Sequence, residues 1–163
     1  MNPTSEELAI VILARMGLMP RKKGATEKMH RVLLELYERA KASYRMKQPH
    51  LAVMTVEEMG YYAGITRQTM YDYLHRWTAL KVITKTTYIA DSKVVVGYKL
   101  NGNTLEQTFE RSTTVLQEHI ELTKRYISEL QRLVKNEKIA DAQQRNHEAE
   151  EPEESDQKVS INA

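Results

Sequence analysis

The sequence contains no cysteine. Disulfide bonds, thiolate metal sites and cysteine nucleophiles are therefore excluded, and no residue type indicates an oxidising compartment. The five histidines are scattered, and no two of them stand three or four residues apart, so they do not form the helical face that binds a metal ion. We therefore expect no metal, no other cofactor and no metalloenzyme.

Long apolar runs are also missing. The longest one, residues 8–14, is far shorter than the ~20 residues that span a bilayer. No basic segment precedes it, as one does in a signal peptide. We expect a cytoplasmic, nucleoid-associated protein with no membrane partner.

Charge is distributed unevenly, although the total is only +2. Residues 141–163 carry seven acids and two bases, a charge of −5, so residues 1–140 carry +7. A basic body of this kind indicates a polyanionic partner. Residues 140–163 are too polar to bury a core, so we predict a disordered, solvated acidic tail. Alternatively, this tail competes with the polyanion for the basic surface or recruits a protein partner.

The apolar pattern of the 163 residues predicts one domain with appendages, and not two full domains. The fold class is expected to be mainly α with a small β-hairpin, hence α+β. We assign residues 1–24 to an N-terminal helix and basic linker, 25–102 to the central domain, 103–139 to a long helix and 140–163 to the tail.

Two helices are predicted before the centre of the chain. The first, residues 5–19, starts at a capping box that opens with Thr4 and ends before Pro20. It is apolar on nearly every side, so it packs on the domain or in a dimer interface, with a peripheral membrane anchor as the alternative. The second, residues 26–44, has a core stripe formed by Met29, Val32, Leu33, Leu36, Tyr37, Ala40 and Tyr44. A short strand is predicted at residues 51–54.

The centre of the chain has the pattern of a helix-turn-helix. Thr55 and Glu58 form a second capping box, and the short helix that follows ends at Gly64. Glycine adopts the positive φ that a tight turn between crossed helices needs. Ile65 can plug the core beneath that turn, and Thr66 can cap the next helix.

The helix after this turn, residues 66–80, has one apolar face and one polar face. Met70, Leu74 and Trp77 face the core, with help from Tyr73. We predict that Arg67 and Gln68 read base edges in a major groove, since arginine pairs with guanine and glutamine with adenine. Thr69 and Tyr71 are placed to bond phosphates, and Asp72 to read cytosine or orient the arginines. The candidate DNA-binding residues of this helix are Thr66, Arg67, Gln68, Thr69, Tyr71, Asp72, His75 and Arg76.

Residues 63–74, followed by Trp77 and residues 80–83, resemble the second and third helices of winged helix-turn-helix DNA-binding proteins. The likeness covers residues 26–100, and small dimeric archaeal and bacterial transcriptional regulators with a C-terminal dimerisation helix are the nearest type. The resemblance implies that the third helix enters the major groove and that the following hairpin contacts the backbone or the minor groove. Lys81 departs from the pattern, because these proteins often have glycine there. The reading face is also less basic than usual.

The hairpin, or wing, is predicted independently by the residue pattern. Residues 84–89 and 94–100 are rich in β-branched residues, and residues 90–93 are polar enough to turn between them. Its candidate DNA-binding residues are Lys85, Thr86, Thr87, Ser92 and Lys93. An ordinary hairpin that seals the helical core is the alternative, and both roles are compatible because only the tip needs to touch DNA.

A third capping box begins at Thr104 and opens a helix predicted to end near Ile139. At 1.5 Å per residue this helix is about 50 Å long, more than the domain needs, so its far end calls for a second chain. We predict an antiparallel or crossed homodimer, including the first helix, and not a regular coiled coil, because the heptad fit is poor. Its candidate dimerisation residues are Leu105, Phe109, Leu116, Ile120, Ile127, Leu130 and Val134.

These observations favour a non-enzymatic transcriptional regulator that binds an inverted repeat of double-stranded DNA as a dimer. A less specific architectural, replication or partition factor is the first alternative. A winged-helix protein-interaction module is the second, because such folds also serve in complexes that never touch bases. No enzyme is expected, since the sequence has no recognisable nucleophile–base pair, phosphate loop or metal cluster.

Overall fold

The computed structural model describes residues 2–19 and 28–162, and of residues 151–162 it describes the backbone alone. The chain is mainly helical with a two-stranded antiparallel hairpin, in agreement with the predicted α+β class. In chain order the elements are α1 (Ser5–Arg15), α2 (Met29–Met46), a 3₁₀ helix (Pro49–Ala52), α3 (Val56–Ala63), α4 (Arg67–Ala79), β1 (Ile83–Ala90), β2 (Lys93–Leu100) and α5 (Leu105–Asn162). The chain divides into two compact units between Leu116 and Gln117. Within the described ranges, no helix is long and apolar enough to cross a membrane.

Helix α1 begins as predicted and ends earlier. The Thr4 hydroxyl accepts from the Glu7 N–H at 3.2 Å, and the Glu7 carboxylate accepts from the Thr4 N–H at 3.4 Å, which confirms the capping box. The helix stops at Arg15 because Gly17 adopts φ +71° and the Leu18 N–H turns back to bond the Leu13 carbonyl at 2.8 Å. The predicted basic linker and the predicted start of the second helix at residue 26 lie outside the described residues.

Helix α2 supplies much of the core of the first unit. Met29, Val32, Leu33 and Leu36 are buried, as the stripe predicts. Tyr44 is wrongly predicted to be a core residue, because it is exposed. The last turn of α2 borders an open groove instead of packed side chains, so a residue with the correct spacing finds nothing to cover it.

The prediction of a strand at residues 51–54 is wrong except at Met54. Pro49 occupies the first turn of a 3₁₀ helix, which its fixed φ favours, and this helix continues to Ala52. Met54 alone pairs with β2: its N–H and carbonyl both bond Tyr98, at 2.8 Å each.

Helices α3 and α4 and the turn between them follow the sequence prediction. Thr55 Oγ1 accepts from the Glu58 N–H at 3.2 Å, and Glu58 also pairs with Arg39 of α2 at 2.5 Å. Gly64 has φ +70°, and Thr66 Oγ1 accepts from the Thr69 N–H at 3.3 Å. The buried face of α4 is formed by Met70, Tyr73, Leu74 and Trp77.

The hairpin pairs β1 with β2 from Ile83 opposite Leu100 to Ala90 opposite Lys93. Asp91 and Ser92 form its two-residue turn with φ values of +50° and +61°, typical of a type I′ turn. Lys81 has φ +59°, which confirms that a non-glycine residue takes the tight conformation after α4.

Helix α5 starts with a variant of the predicted capping box. Thr104 Oγ1 accepts from the Gln107 N–H at 3.1 Å, but the Gln107 side chain accepts from Asn103 and not from Thr104. Thr108 and Ser112 are buried, and each hydroxyl donates to a carbonyl one turn back, so neither lacks a partner.

The far end of α5 differs from the prediction. The helix continues to Asn162, although the sequence predicts an end near Ile139 and a disordered tail from residue 140. Residues 140–150 consist largely of alanine, glutamine, glutamate and other residues of good helix propensity, and Gln144 bonds Glu148 one turn on at 3.3 Å. A helix that is polar all round therefore forms without burying an apolar face.

Candidate nucleic-acid interface

Helix α4 separates its side chains into a buried face and an exposed face. Opposite the buried Met70, Leu74 and Trp77 lie most of the predicted DNA-contacting residues. The exposed ones are Thr66, Arg67, Gln68, Tyr71, Asp72 and His75, while Thr69 and Arg76 are half-buried. The exposed set is densest in the N-terminal turns of α4. This is the part of a helix that meets base edges when the helix lies in a major groove.

Arg67, at the first position of α4, is held by two partners. Its Nη1 pairs with Glu57 Oε1 of α3 at 3.0 Å, and its Nη2 and Nε donate to Tyr71 Oη at 3.2 and 3.4 Å. The hydrogen bond to Tyr71 and then the charge of Glu57 raise the pKa of Arg67, so the guanidinium stays charged. The predicted base-reading group is therefore ordered before any ligand arrives.

Glu57 is a member of this site that the sequence analysis missed. The sequence predicts that Asp72 reads cytosine or orients the arginines, but Asp72 makes no ion pair within the part of the chain that the structure describes. The signal in the sequence is an acid at the second position of α3 and a base at the first position of α4. Their proximity depends on how the two helices cross, which spacing alone does not give.

Gln68 and Thr69 complete the first turn of α4. Gln68 is exposed, and its amide makes no hydrogen bond to any described residue, so its donor and acceptor pair is free for a base such as adenine. Thr66 Oγ1 donates to Thr69 Oγ1 at 3.1 Å. The Thr69 hydroxyl therefore keeps its own proton available for a phosphate oxygen.

Arg76 lies apart from this group and has a structural partner. Its Nη1 donates to the Gly17 carbonyl at 2.9 Å, and its guanidinium stacks 5.1 Å from the centre of the Tyr73 ring. Arg76 thus ties α4 to the end of α1. The prediction that it contacts DNA stays a prediction, and it now requires the arginine to leave these contacts.

An open groove of about 450 Å³ joins α4 to the hairpin. Tyr71 and His75 of α4 line one side, and Lys85 of β1 lines the other, beside Tyr98 of β2. Burial raises the pKa of Tyr98, and the nearby Tyr71 adds to the shift, so the phenol stays neutral. The groove brings residues of the predicted recognition helix and the predicted wing to one surface.

The strand pleat splits the remaining wing residues between two faces. Lys85 and Thr87 lie on one face, which also carries the buried Ile83, Tyr98 and Leu100. Thr86 pairs with Gly97 on the other face, where an added Cβ at Gly97 would meet the Met54 carbonyl at 2.6 Å. Thr86 is therefore on the face that packs against residues 53 and 54, and not on the face that covers the core. Ser92 and Lys93 are exposed at the tip of the hairpin.

A second surface, mostly apolar but with Glu106 in its lining, lies in the first unit. Leu8 and Ile12 of α1, Leu34 of α2, and Leu105 and Phe109 of α5 line a groove of about 440 Å³. The predicted dimer residues Leu105 and Phe109 pack partly against the core of their own chain. They therefore form the floor of this groove instead of a free helix face.

The other predicted dimer residues leave α5 with an uncovered apolar stripe. Leu116 is half-buried, and the exposed members are Ile120, Ile127, Leu130 and Val134. Ile127 is 58% exposed and Leu130 is 61% exposed. The sequence analysis missed Tyr126 and Leu133, which are also exposed and widen this face. Their spacing from Leu130, four residues before and three after, was the available signal.

Comparisons with protein-family models, with curated proteins and with solved structures find no match to this chain. The described residues contain no group of three or more histidine, cysteine, aspartate or glutamate side chains arranged to hold a metal ion.

Proposed function

We propose that this chain is a non-enzymatic, winged helix-turn-helix protein that binds double-stranded DNA and regulates transcription at the nucleoid. The observation that carries the proposal is the first turn of α4. It presents Arg67 and Gln68 to solvent, while the opposite face of the same helix is locked into the core by Trp77. A helix anchored in this way can be inserted into a major groove without losing its own packing.

Several groups on this surface have a chemical role in the proposal. Arg67 and Gln68 read a guanine and an adenine, because their forked donors and acceptors match those base edges. The Thr69 and Tyr71 hydroxyls bond phosphates on either side. Lys93 at the hairpin tip contacts the backbone or the minor groove, and Lys85 contributes charge in the groove between α4 and β1.

The apolar surfaces support a dimer as the binding form. The stripe on α5 and the groove beside α1 are both uncovered in one chain. In a two-fold dimer each chain can cover these surfaces of the other. Two recognition helices about 34 Å apart meet successive major-groove turns of an inverted repeat. Linking two half-sites in this way raises a modest affinity without new contacts.

The proposal is tested by selecting preferred duplexes from a random library and measuring affinity by fluorescence anisotropy at several salt concentrations. We expect a sequence preference with two half-sites. Gln68→Ala should relax the preference at one base position, at a cost of about 1–3 kcal/mol there. Gln143→Ala, an exposed glutamine of α5, is the matched control and should leave the preference intact.

Lys93→Ala provides the second arm of this test. It should weaken binding to all sequences alike and reduce the salt slope by about 1, because a phosphate contact carries no sequence information. If Gln68→Ala also weakens all sequences alike, the protein is a less specific, architectural type of DNA-binding factor. If no duplex binds at low salt, DNA binding is refuted.

A protein-interaction module is the second candidate, favoured by the exposed apolar residues of α1. Leu8, Val11 and Ile12 are each more than a third exposed. This candidate predicts that substitutions in α4 have no effect on binding to any duplex, and that Leu8→Ser abolishes association with a partner protein.

A further inference from the structure

Glu57 and Arg67 form a contact that the DNA-binding proposal does not use. Their side chains are 61% and 63% exposed, on the surface that the proposal turns toward DNA. Glu57 occupies one edge of the guanidinium through Nη1, and Tyr71 occupies the other through Nη2 and Nε. The capping box of α3 uses Glu58 and not Glu57, so Glu57 is not needed to start that helix.

We propose that Glu57 is a specificity-determining residue, which competes with phosphate for Arg67 and so weakens binding to non-target DNA. The inference rests on the proposed function. Any duplex offers phosphates, and a free arginine at the start of a helix binds them regardless of sequence. A carboxylate already paired with that arginine must be displaced first, and its own charge repels the incoming phosphate.

The correct site does not require this displacement. A guanine offers Arg67 two neutral acceptors in the plane of its guanidinium, O6 and N7, and the neighbouring base pairs with the free amide of Gln68. Nη2 and Nε can turn from Tyr71 to the guanine while Nη1 stays with Glu57. The ion pair is therefore kept at the target, whereas a phosphate on Arg67 brings a second negative charge beside Glu57.

The test compares Glu57→Gln with Glu38→Gln. Glu38 is an exposed acid of α2 that pairs with Lys41 at 2.8 Å, so its substitution makes the same charge change and breaks a similar surface pair elsewhere. Affinities for a random duplex and for the selected duplex are measured across a salt series. Glu57→Gln should strengthen random binding about three- to fivefold, the range that one exposed ion pair allows. Its salt slope should steepen by about 0.9, because one more cation reaches a phosphate.

Binding to the selected duplex should change less than this, so the ratio of target to random affinity falls. In a chain that already carries Arg67→Ala, Glu57→Gln should no longer change that ratio, because the effect acts through the arginine. Equal effects of Glu57→Gln and Glu38→Gln, or an unchanged effect in the Arg67→Ala background, would overturn the inference and leave DNA binding intact. Failure of the wild type to bind any duplex would refute both.

Thermal unfolding of Glu57→Gln, followed by circular dichroism, separates this role from a structural one. The midpoint should match that of the wild type, since the helix keeps its Thr55 cap and its buried Met59. A lowered midpoint together with weaker binding to both duplexes would assign Glu57 to the stability of α3 and would overturn the inference.

Discussion

Helices α4 and α5 carry apolar residues at similar spacings and bury them very differently. Met70, Leu74 and Trp77 of α4 are all enclosed by the first unit. Ile127 and Leu130 of α5 have the same helical periodicity and remain more than half exposed. Periodicity therefore identifies an apolar face, whereas the residues that cover this face come from other elements or from another chain. In one helix the face holds the fold together, and in the other it is available for association.

The largest expected effect comes from removing a buried side chain of α4. Trp77→Ala should lower the free energy of unfolding by about 3–5 kcal/mol, because it empties a large core site. It also removes the hydrogen bond from Nε1 to the Leu18 carbonyl. Urea unfolding followed by circular dichroism measures the loss, with Thr78→Ala, an exposed neighbour, as the control. A loss below about 1 kcal/mol would contradict the burial of α4.

The next effect tests the exposed side. Replacing both Ile127 and Leu130 by serine should weaken self-association at least tenfold. Serine leaves less apolar area to bury when the dimer forms, and burial of apolar area stabilises the dimer. Light scattering across a concentration series measures it. Fluorescence of Trp77, the single tryptophan, should show that the first unit stays folded.

Arg125→Ser with Asn136→Ser is the matched control for this pair, because both residues lie on the opposite side of α5. This control should associate like the wild type. A wild type that is monomeric at micromolar concentration would refute the dimer, and the contrast between the two helices would then have no functional meaning.

A smaller effect concerns the turn that joins the buried helix to the hairpin. Lys81→Gly should raise the free energy of unfolding by about 0.5–1 kcal/mol, because glycine takes the positive φ of this position without steric cost. Lys85→Gly, in the middle of β1, is the matched control and should lower it by a similar amount. The same sign for both substitutions would show that φ at residue 81 carries no strain. Urea unfolding monitored by Trp77 fluorescence gives both values.

The smallest effect comes from His30, a buried histidine of the first unit. Burial lowers the pKa of His30, the charges of Arg31 and Lys28 lower it further, and Glu6 opposes them. Its Nδ1 has no hydrogen-bond partner among the described residues. Because the unfolded chain binds the proton more readily, the contribution of His30 is complete above pH 6.5 and is lost as the pH falls from there through the lowered value.

His30→Met should therefore flatten the fall in stability between about pH 6.5 and pH 5, measured by urea unfolding at each pH. If the free energy of unfolding of His30→Met falls with pH as steeply as that of the wild type, burial of this ring does not contribute to the pH dependence. The contrast between the enclosed first unit and the exposed α5 stripe would then be weaker.

Local signals in the sequence determined the caps, the turns and most of the element boundaries in the centre of the chain. Thr55, Gly64 and Thr66 act on backbone groups within four residues of themselves, so their effects can be predicted without a fold. The two faces of α4 follow from spacing in the same way. The absence of an apolar face after Ile139 did not predict where α5 ends. Helix propensity and side-chain pairs one turn apart are sufficient to extend the helix without burial.

Tertiary structure alone decided which polar groups of the site are occupied. Arg76 bonds the Gly17 carbonyl, 59 residues away along the chain, and Arg67 pairs with Glu57 on another helix. Neither partner follows from the residues nearby, because such contacts depend on how helices cross and not on spacing along one of them. Sequence determined that α4 carries an exposed polar face opposite its buried one. The packing of α1 and α3 against it decided that Arg76 is engaged and that Arg67 is held in position.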